Sequence, residues 1–142
     1  MKAATSVRIL SWAEAAPAAT AIREAVFVVE QGVPRAIELD EWDRRCAHAL
    51  AYDAAGHAVG TGRLLPDGHV GRMAVLQEAR GTGVGTALLQ ALVEQARACG
   101  MKRVVLNAQT HAVPFYRRHG FKAFGREFME AGIRHVAMVR TL

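Results

Sequence analysis

The chain has 142 residues, of which 51% are hydrophobic and 22% charged, and a formal net charge of +5. That size fits one domain with a core of its own, and the balance excludes collagenous, disordered and membrane-spanning classes. Two cysteines, Cys46 and Cys99, make no disulfide framework and the opening MKAATSVRILSW lacks the apolar core of a signal peptide, so a reducing cytoplasm is the expected setting.

Residues 7–10 read as a short strand. Ser11 and Glu14 have the spacing of a capping box, and Pro17 suits a first helical turn. Ala19, Ile22, Val26 and Val29 recur at helical spacing, so a helix is expected to about Val29, broken by Gly32 and Pro34. Residues 36–45 are polar and acidic and read as a loop or short helix. Residues 46–53 and 57–65 read as strands joined at Ala55-Gly56, and the turn Pro66-Asp67-Gly68 leads into a strand over 69–76. Val84, Leu88, Ala91, Leu92 and Cys99 mark the inward face of a helix closed by Gly100. A strand over 103–106, a helix over 110–119 stopped by Gly120, and strands over 121–125 and 135–141 complete the chain. No repeat or linker interrupts it, so residues 1–142 read as one domain. An antiparallel meander followed by a β-α-β crossover predicts an α/β (α+β) fold: a mixed, mostly antiparallel twisted sheet of six to seven strands flanked by about four helices.

The stretch EARGTGVGTALLQALVE, residues 78–94, sets Gly81, Gly83 and Gly85 behind Arg80 where a helix begins. Glycine costs roughly 0.5–1 kcal/mol relative to alanine inside a regular element, so three at alternate positions need a reason. A helix N-terminus offers free N–H groups and a partial positive charge, and glycines let an anion come close to them. The Arg80 guanidinium suits phosphate oxygens. No lysine follows the last glycine as a Walker loop requires, and Thr86 stands where a dinucleotide fingerprint needs glycine. A turn that merely starts a helix is the plain alternative. The basic residues are scattered, apart from pairs such as Arg44-Arg45 and Arg117-Arg118, which suits a small polyanionic ligand and gives no reason to expect a nucleic-acid or membrane partner.

Arg80-Gly81-Thr82-Gly83-Val84-Gly85 resembles the R/Q-x-x-G-x-G/A acyl-CoA signature of the GNAT N-acetyltransferases. RMAVLQEARGTGVGTALL resembles that family's strand-loop-helix cofactor motif, and VVLNAQTHAVPFYRRHGF its following block. VFVVEQGVP and EFMEAGIRH resemble the bacterial YjcF/ElaA-like branch. The resemblance implies an enzyme that moves an acetyl group from acetyl-CoA to a primary amine of a small molecule or peptide by direct attack in a ternary complex, without a metal, and acts as a homodimer. A non-catalytic acyl-CoA-binding or interaction module is the alternative reading, and Tyr116 is the residue such a module would not need.

Residue by residue, the resemblance implies that Arg80, Gly81, Thr82, Gly83, Val84, Gly85 and Thr86 line the pyrophosphate. It implies that main-chain groups near Met73, Ala74 and Val75 hold the pantetheine and polarise the acetyl carbonyl, and that Asn107 contacts the pantetheine arm. Tyr116 is implied as the general acid: a phenol of pKa about 10 is protonated at neutral pH and can donate to a departing thiolate. The general base stays open among Glu30, Asp40, Glu41, His69, Glu130 and His135, with each equally readable as a solvated group and a water chain as a substitute. The run Glu38-Leu39-Asp40-Glu41-Trp42-Asp43 invites a cationic acceptor or, more plainly, is a solvated loop anchored by its tryptophan.

Overall fold

The computed structural model describes residues 5–142. Strand β1 (Ser6–Leu10) leads into helix α1 (Trp12–Arg23), whose N-cap Ser11 accepts from the Glu14 N–H at 3.4 Å. Pro17 lies in the second turn of α1, not the first as expected. The helix continues as a wider π-helical turn over Glu24–Glu30, closed by the Gln31 N–H on the Val26 carbonyl at 3.1 Å. The widening rotates side chains away from 3.6-residue spacing. Val29, expected on the inward stripe with Val26, is therefore 73% exposed.

The short helix α2 (Arg35–Glu38) and a 3₁₀ turn (Glu41–Arg45) follow, then the meander β2 (Ala47–Tyr52), β3 (Ala58–Leu64) and β4 (His69–Val75). Helix α3 (Val84–Ala98) crosses over to β5 (Arg103–Gln109), and helix α4 (Val113–Arg118) precedes the hairpin β6 (Lys122–Glu130) and β7 (Ile133–Thr141). The seven strands form one sheet in the order β1-β2-β3-β4-β5-β7-β6. Only β4–β5 is parallel. The last two strands run longer than expected and meet at Ala131-Gly132, both at positive φ.

Helix α3 covers one face of the sheet with Val84, Leu88, Leu89 and Leu92 against Leu64, Val104, Leu106 and Met138. Two glycines on β3 permit this closeness. A Cβ at Gly60 would sit 2.8 Å from Val84 Cγ1, and one at Gly62 would sit 2.9 Å from Leu92 Cδ1. Helix α1 and the π-helical turn after it cover the other face through Ala15, Ala19, Ile22 and Val26 against Leu50 and Ala74. Cys99, expected to face inward, caps the end of α3 and is exposed. The inward positions there are Val93 and Ala96.

Candidate active site

The sheet opens at its one parallel junction. β4 and β5 pair only at His69↔Val105 and Val70↔Leu106. Beyond that point β4 stays on β3, as far as Val75 opposite Gly60, and β5 stays on β7, as far as Gln109 opposite His135. The two strands splay into a wedge whose walls are Gly71–Val75 on one side and Asn107–Gln109 on the other. Main-chain N–H and C=O groups along the facing edges have lost their ladder partners, so the wedge asks for an extended polar ligand. Asn107, exposed, is the first β5 residue past the last pairing.

A bulge aims the β4 wall. Opposite β3, Thr61 faces Ala74 and Arg63 faces Gly71, so Arg72 and Met73 together face Gly62. Arg72 has φ +50°, a left-handed value that a non-glycine residue adopts only when its surroundings hold it there. Its guanidinium is the hold: Nε donates to the Glu38 carbonyl at 3.0 Å and Nη2 to Asp40 Oδ2 at 3.3 Å.

At the open end of the wedge lies the glycine loop. Gly81 and Gly83 have φ +78° and +89°, and a Cβ on Gly81 would meet nothing within 4 Å. Their conformation is what the turn requires of glycine. The first main-chain bond inside α3 is from the Ala87 N–H to the Gly83 carbonyl at 3.0 Å, leaving Val84, Gly85 and Thr86 N–H groups ahead of it without helical partners. Gly85 faces the Phe115 ring, 3.5 Å from where its Cβ would be. The Thr82 hydroxyl turns back to donate to the Ala79 carbonyl. The Thr86 hydroxyl lies 3.2 Å from His119 Nε2.

Arg80 is already engaged. Its Nη1 and Nη2 form a fork on Glu30 at 2.6 and 2.7 Å, and Nε donates to the Val75 carbonyl at 3.0 Å. The hydrogen bonds from Arg80 hold the Glu30 carboxyl below the usual range. The next residue, Gln31, accepts from Gln109 Nε2 at 3.0 Å. The end of the widened helix thus touches both walls of the wedge, Glu30 toward β4 and the glycine loop, Gln31 toward β5.

Tyr116 projects from α4, its ring edge-on to Phe115 at 5.1 Å and to Phe121 at 6.0 Å. Burial pushes its phenol up to about 12, so it stays protonated at neutral pH.

The base candidates scatter. His69 sits at the closed end of the wedge, 3.0 Å from Asp67, and Glu130 at the tip of the last hairpin. Glu41 is exposed on the 3₁₀ turn. Asp40 is committed to Arg63 at 2.6 and 2.8 Å, which holds its carboxyl low. Besides Glu30, His135 is the one brought to the open end. Val136 and Met138 enter the core under α3, so His135, one residue before Val136 in the period of two, faces the opposite side of the sheet along with its partner Gln109. It is 8% exposed and stacks on Phe128 with centroids 5.9 Å apart. Its Nδ1 lies 2.7 Å from the Ile133 carbonyl. A carbonyl only accepts, so Nδ1 carries the proton and Nε2 of the neutral ring keeps its lone pair.

The acidic run is neither a solvated loop nor an open cation site. Glu38 and Asp43 are buried and paired. Arg23 reaches Glu38 at 2.5 Å and Asp43 at 2.8 Å, and Arg63 reaches Asp43 at 2.9 Å. Burial pushes the Asp43 carboxyl up, but hydrogen bonds and charge from Arg23 and Arg63 outweigh this and leave it low. Trp42, expected to anchor the loop, is 41% exposed and lies against Arg45. The run's work is structural: with Arg72 it ties α1 and α2 to the β4 bulge. The sequence carried one unread sign of this, since Arg23 falls beside Ile22 on the buried stripe of α1.

Residues 15–142 match the model of the acetyltransferase (GNAT) domain family. An uncharacterized N-acetyltransferase of Bacillus subtilis, YjcF, is 42% identical over 123 residues, covering 84% of this chain and 87% of that protein. The crystal structure of an acyl-CoA N-acyltransferase from Pseudomonas aeruginosa superposes with a TM-score of 0.85 at 29% identity, over 96% of this chain and 99% of that one. Escherichia coli ElaA does so with a TM-score of 0.84 at 29% identity, over 96% and 99%.

Proposed function

The chain belongs to the GNAT acetyltransferase family and is an acyltransferase, and we propose that it moves an acetyl group from acetyl-CoA to the primary amine of a small molecule or peptide by direct attack in a ternary complex. One observation carries the reading: the β4–β5 wedge opens onto a glycine loop and a helix N-terminus, with a bulged strand as one wall. The residues present fit an acyl-CoA. The open space at Gly81 and the unpartnered N–H groups of Val84, Gly85 and Thr86 suit a diphosphate. The two unpaired strand edges suit an amide-bearing arm such as pantetheine, with Asn107 beside it.

Acetyl-CoA supplies an acetyl group activated as a thioester. Around it the bulge at Arg72-Met73 fixes the main-chain N–H groups of Met73, Ala74 and Val75. A fixed donor aimed at the carbonyl oxygen stabilises charge that develops there. Tyr116 donates its proton to the departing sulfur. An alkyl amine is mostly protonated at neutral pH and must first lose a proton. His135 Nε2, with its lone pair free and on the face opposite α3, takes that proton. Arg80 clamps the end of β4, through the Val75 carbonyl, to Glu30 on the widened helix, and the loop's main chain holds the diphosphate. Residues 1–142 work as a single domain in the cytoplasm. Among the described residues no helix is long and apolar enough to cross a membrane. Two copies pair along β6, which is exposed over nearly its whole length with Phe124 and Met129 outward. Antiparallel pairing about Arg126 sets Lys122 of each copy opposite Glu130 of the other.

Thiol release from acetyl-CoA, followed with phenethylamine, spermidine and lysine methyl ester as acceptors, tests the activity. Amine-dependent release is the expected result. Release independent of every amine would speak for a thioesterase instead.

A further inference from the structure

The loop that fits the diphosphate has a neighbour with no part in the reading so far. His119, in the cap of α4, is half-buried, and its Nε2 lies 3.2 Å from Thr86 Oγ1 in the first turn of α3. Its ring rests on Phe115, centroids 4.9 Å apart, and Phe115 in turn faces Gly85. The ring is therefore fixed against the very turn whose free N–H groups point at the anion. From β7, Arg140 Nη1 donates to the His119 carbonyl at 3.1 Å, and Arg118 adjoins it on α4. Arg117 and Lys122 line a shallow cavity on the same end of α4. Among the described residues none of these four cations has a carboxylate within ion-pair distance. The neighbourhood has positive charge on α4, β6 and β7, a hydroxyl on α3, and no carboxylate to balance it.

We infer that His119 is a proton-coupled ligand of the cofactor's diphosphate: neutral in the free enzyme, it takes up a proton when the diphosphate docks on the first turn of α3. This rests on the acyl-CoA reading above. Two opposing fields act on one imidazole. In the free protein, partial burial and then the charges of Arg118 and Arg140 hold it below its usual range. A bound diphosphate brings compensating negative charge within reach of the same ring through Thr86 and favours the imidazolium. The proton comes from solvent and no covalent bond changes. By linkage, affinity is highest where the bound-state imidazolium persists and falls as pH rises through its titration.

The test is calorimetric titration of wild type and His119→Gln with CoA, at pH 6, 7 and 8, in MES, HEPES and Tris buffers of different protonation heat. Glutamine keeps a hydrogen bond to Thr86 and cannot titrate. The terminal phosphate of CoA titrates in the same range, so the readout is the difference between the two proteins, repeated with dephospho-CoA. The expected result is extra proton uptake by wild type with both ligands. Its dissociation constant should also rise by about fivefold more than the variant's from pH 6 to 8, since one pKa unit of coupling corresponds to tenfold. Equal proton uptake by the two proteins would overturn the inference and leave the acyl-CoA reading intact. Extra uptake with CoA but not dephospho-CoA would also overturn it, by assigning His119 to the other phosphate. No saturable binding of either ligand would remove the acyl-CoA reading itself.

Discussion

Glu30 and Arg80, one at the end of the widened first helix and the other at the head of the glycine loop, meet in a two-pronged ion pair at 2.6 and 2.7 Å. The pair joins the end of the widened helix to the head of the glycine loop that we propose takes the cofactor. Arg80 also occupies both oxygens of the Glu30 carboxylate and lowers its affinity for a proton, which makes Glu30 a weak base.

Glu30→Gln should accordingly leave the pH dependence of turnover unchanged in shape. An exposed pair of this kind contributes about 0–1 kcal/mol, so thermal stability should shift little. A loss of turnover on the order of 100-fold, with the acid limb of the profile gone, would mark Glu30 as the base.

Tyr116→Phe keeps the ring packing on Phe115 and Phe121 and removes only the hydroxyl. Turnover should fall by roughly 10²–10⁴, the range for a general acid, while the affinity for CoA stays within about twofold. Weaker CoA binding with normal turnover would make Tyr116 a binding residue.

His135→Gln should lower turnover at pH 7 and leave CoA binding intact. Its rate should climb with pH toward the amine's own pKa of about 10, where the acceptor deprotonates unaided. A variant with a wild-type profile between pH 6 and 9 would assign the proton to water or to another group.

The ionic cluster sets the acid limit of the fold. Asp40 and Asp43 are both held low, Asp40 chiefly by hydrogen bonds from Arg63 and Asp43 by Arg23 and Arg63 against the opposing effect of burial. A carboxylate whose folded pKa is depressed contributes stability that is present above its unfolded value, near 3.9, and is lost as pH falls through the folded value. Urea unfolding should show stability level from pH 7 to about 5 and declining below about 4. Asp43→Asn leaves two buried guanidinium groups short of a partner, should destabilise by about 3–5 kcal/mol at pH 7, and should flatten the acid decline. An unchanged midpoint at pH 7 would show that Glu38 and Asp40 suffice as partners for Arg23 and Arg63.

Much of this architecture could be read in advance because its causes are local. The glycine loop announces itself through backbone freedom at Gly81 and Gly83, and the seven strands through alternation and turn residues. The wedge is not legible in the residues, since splaying is a register relation between β4 and β5 that no local pattern encodes. The π-helical turn escaped because Val29 fits 3.6-residue spacing as well as Val26 does, and only the packing around Val26 and Gln31 decides against it. The acidic run was misread because its partners, Arg23, Arg63 and Arg72, come from three separate elements. A charge run looks solvated until the fold brings its counter-charges. Cys99 keeps the spacing of the buried stripe, three residues on from Ala96, but falls at the C-cap of α3 and is exposed.

The most direct test of the central claim is calorimetric titration of acetyl-CoA into wild type, Gly83→Glu and Gly83→Ala. Alanine imposes the strain of φ +89° without a charge, and glutamate adds an anion where the diphosphate would lie. The account predicts saturable binding by wild type, weakened binding by the alanine variant and none by the glutamate variant, with all three folded by circular dichroism. Equal binding by wild type and Gly83→Glu would contradict it and put the cofactor somewhere other than the glycine loop.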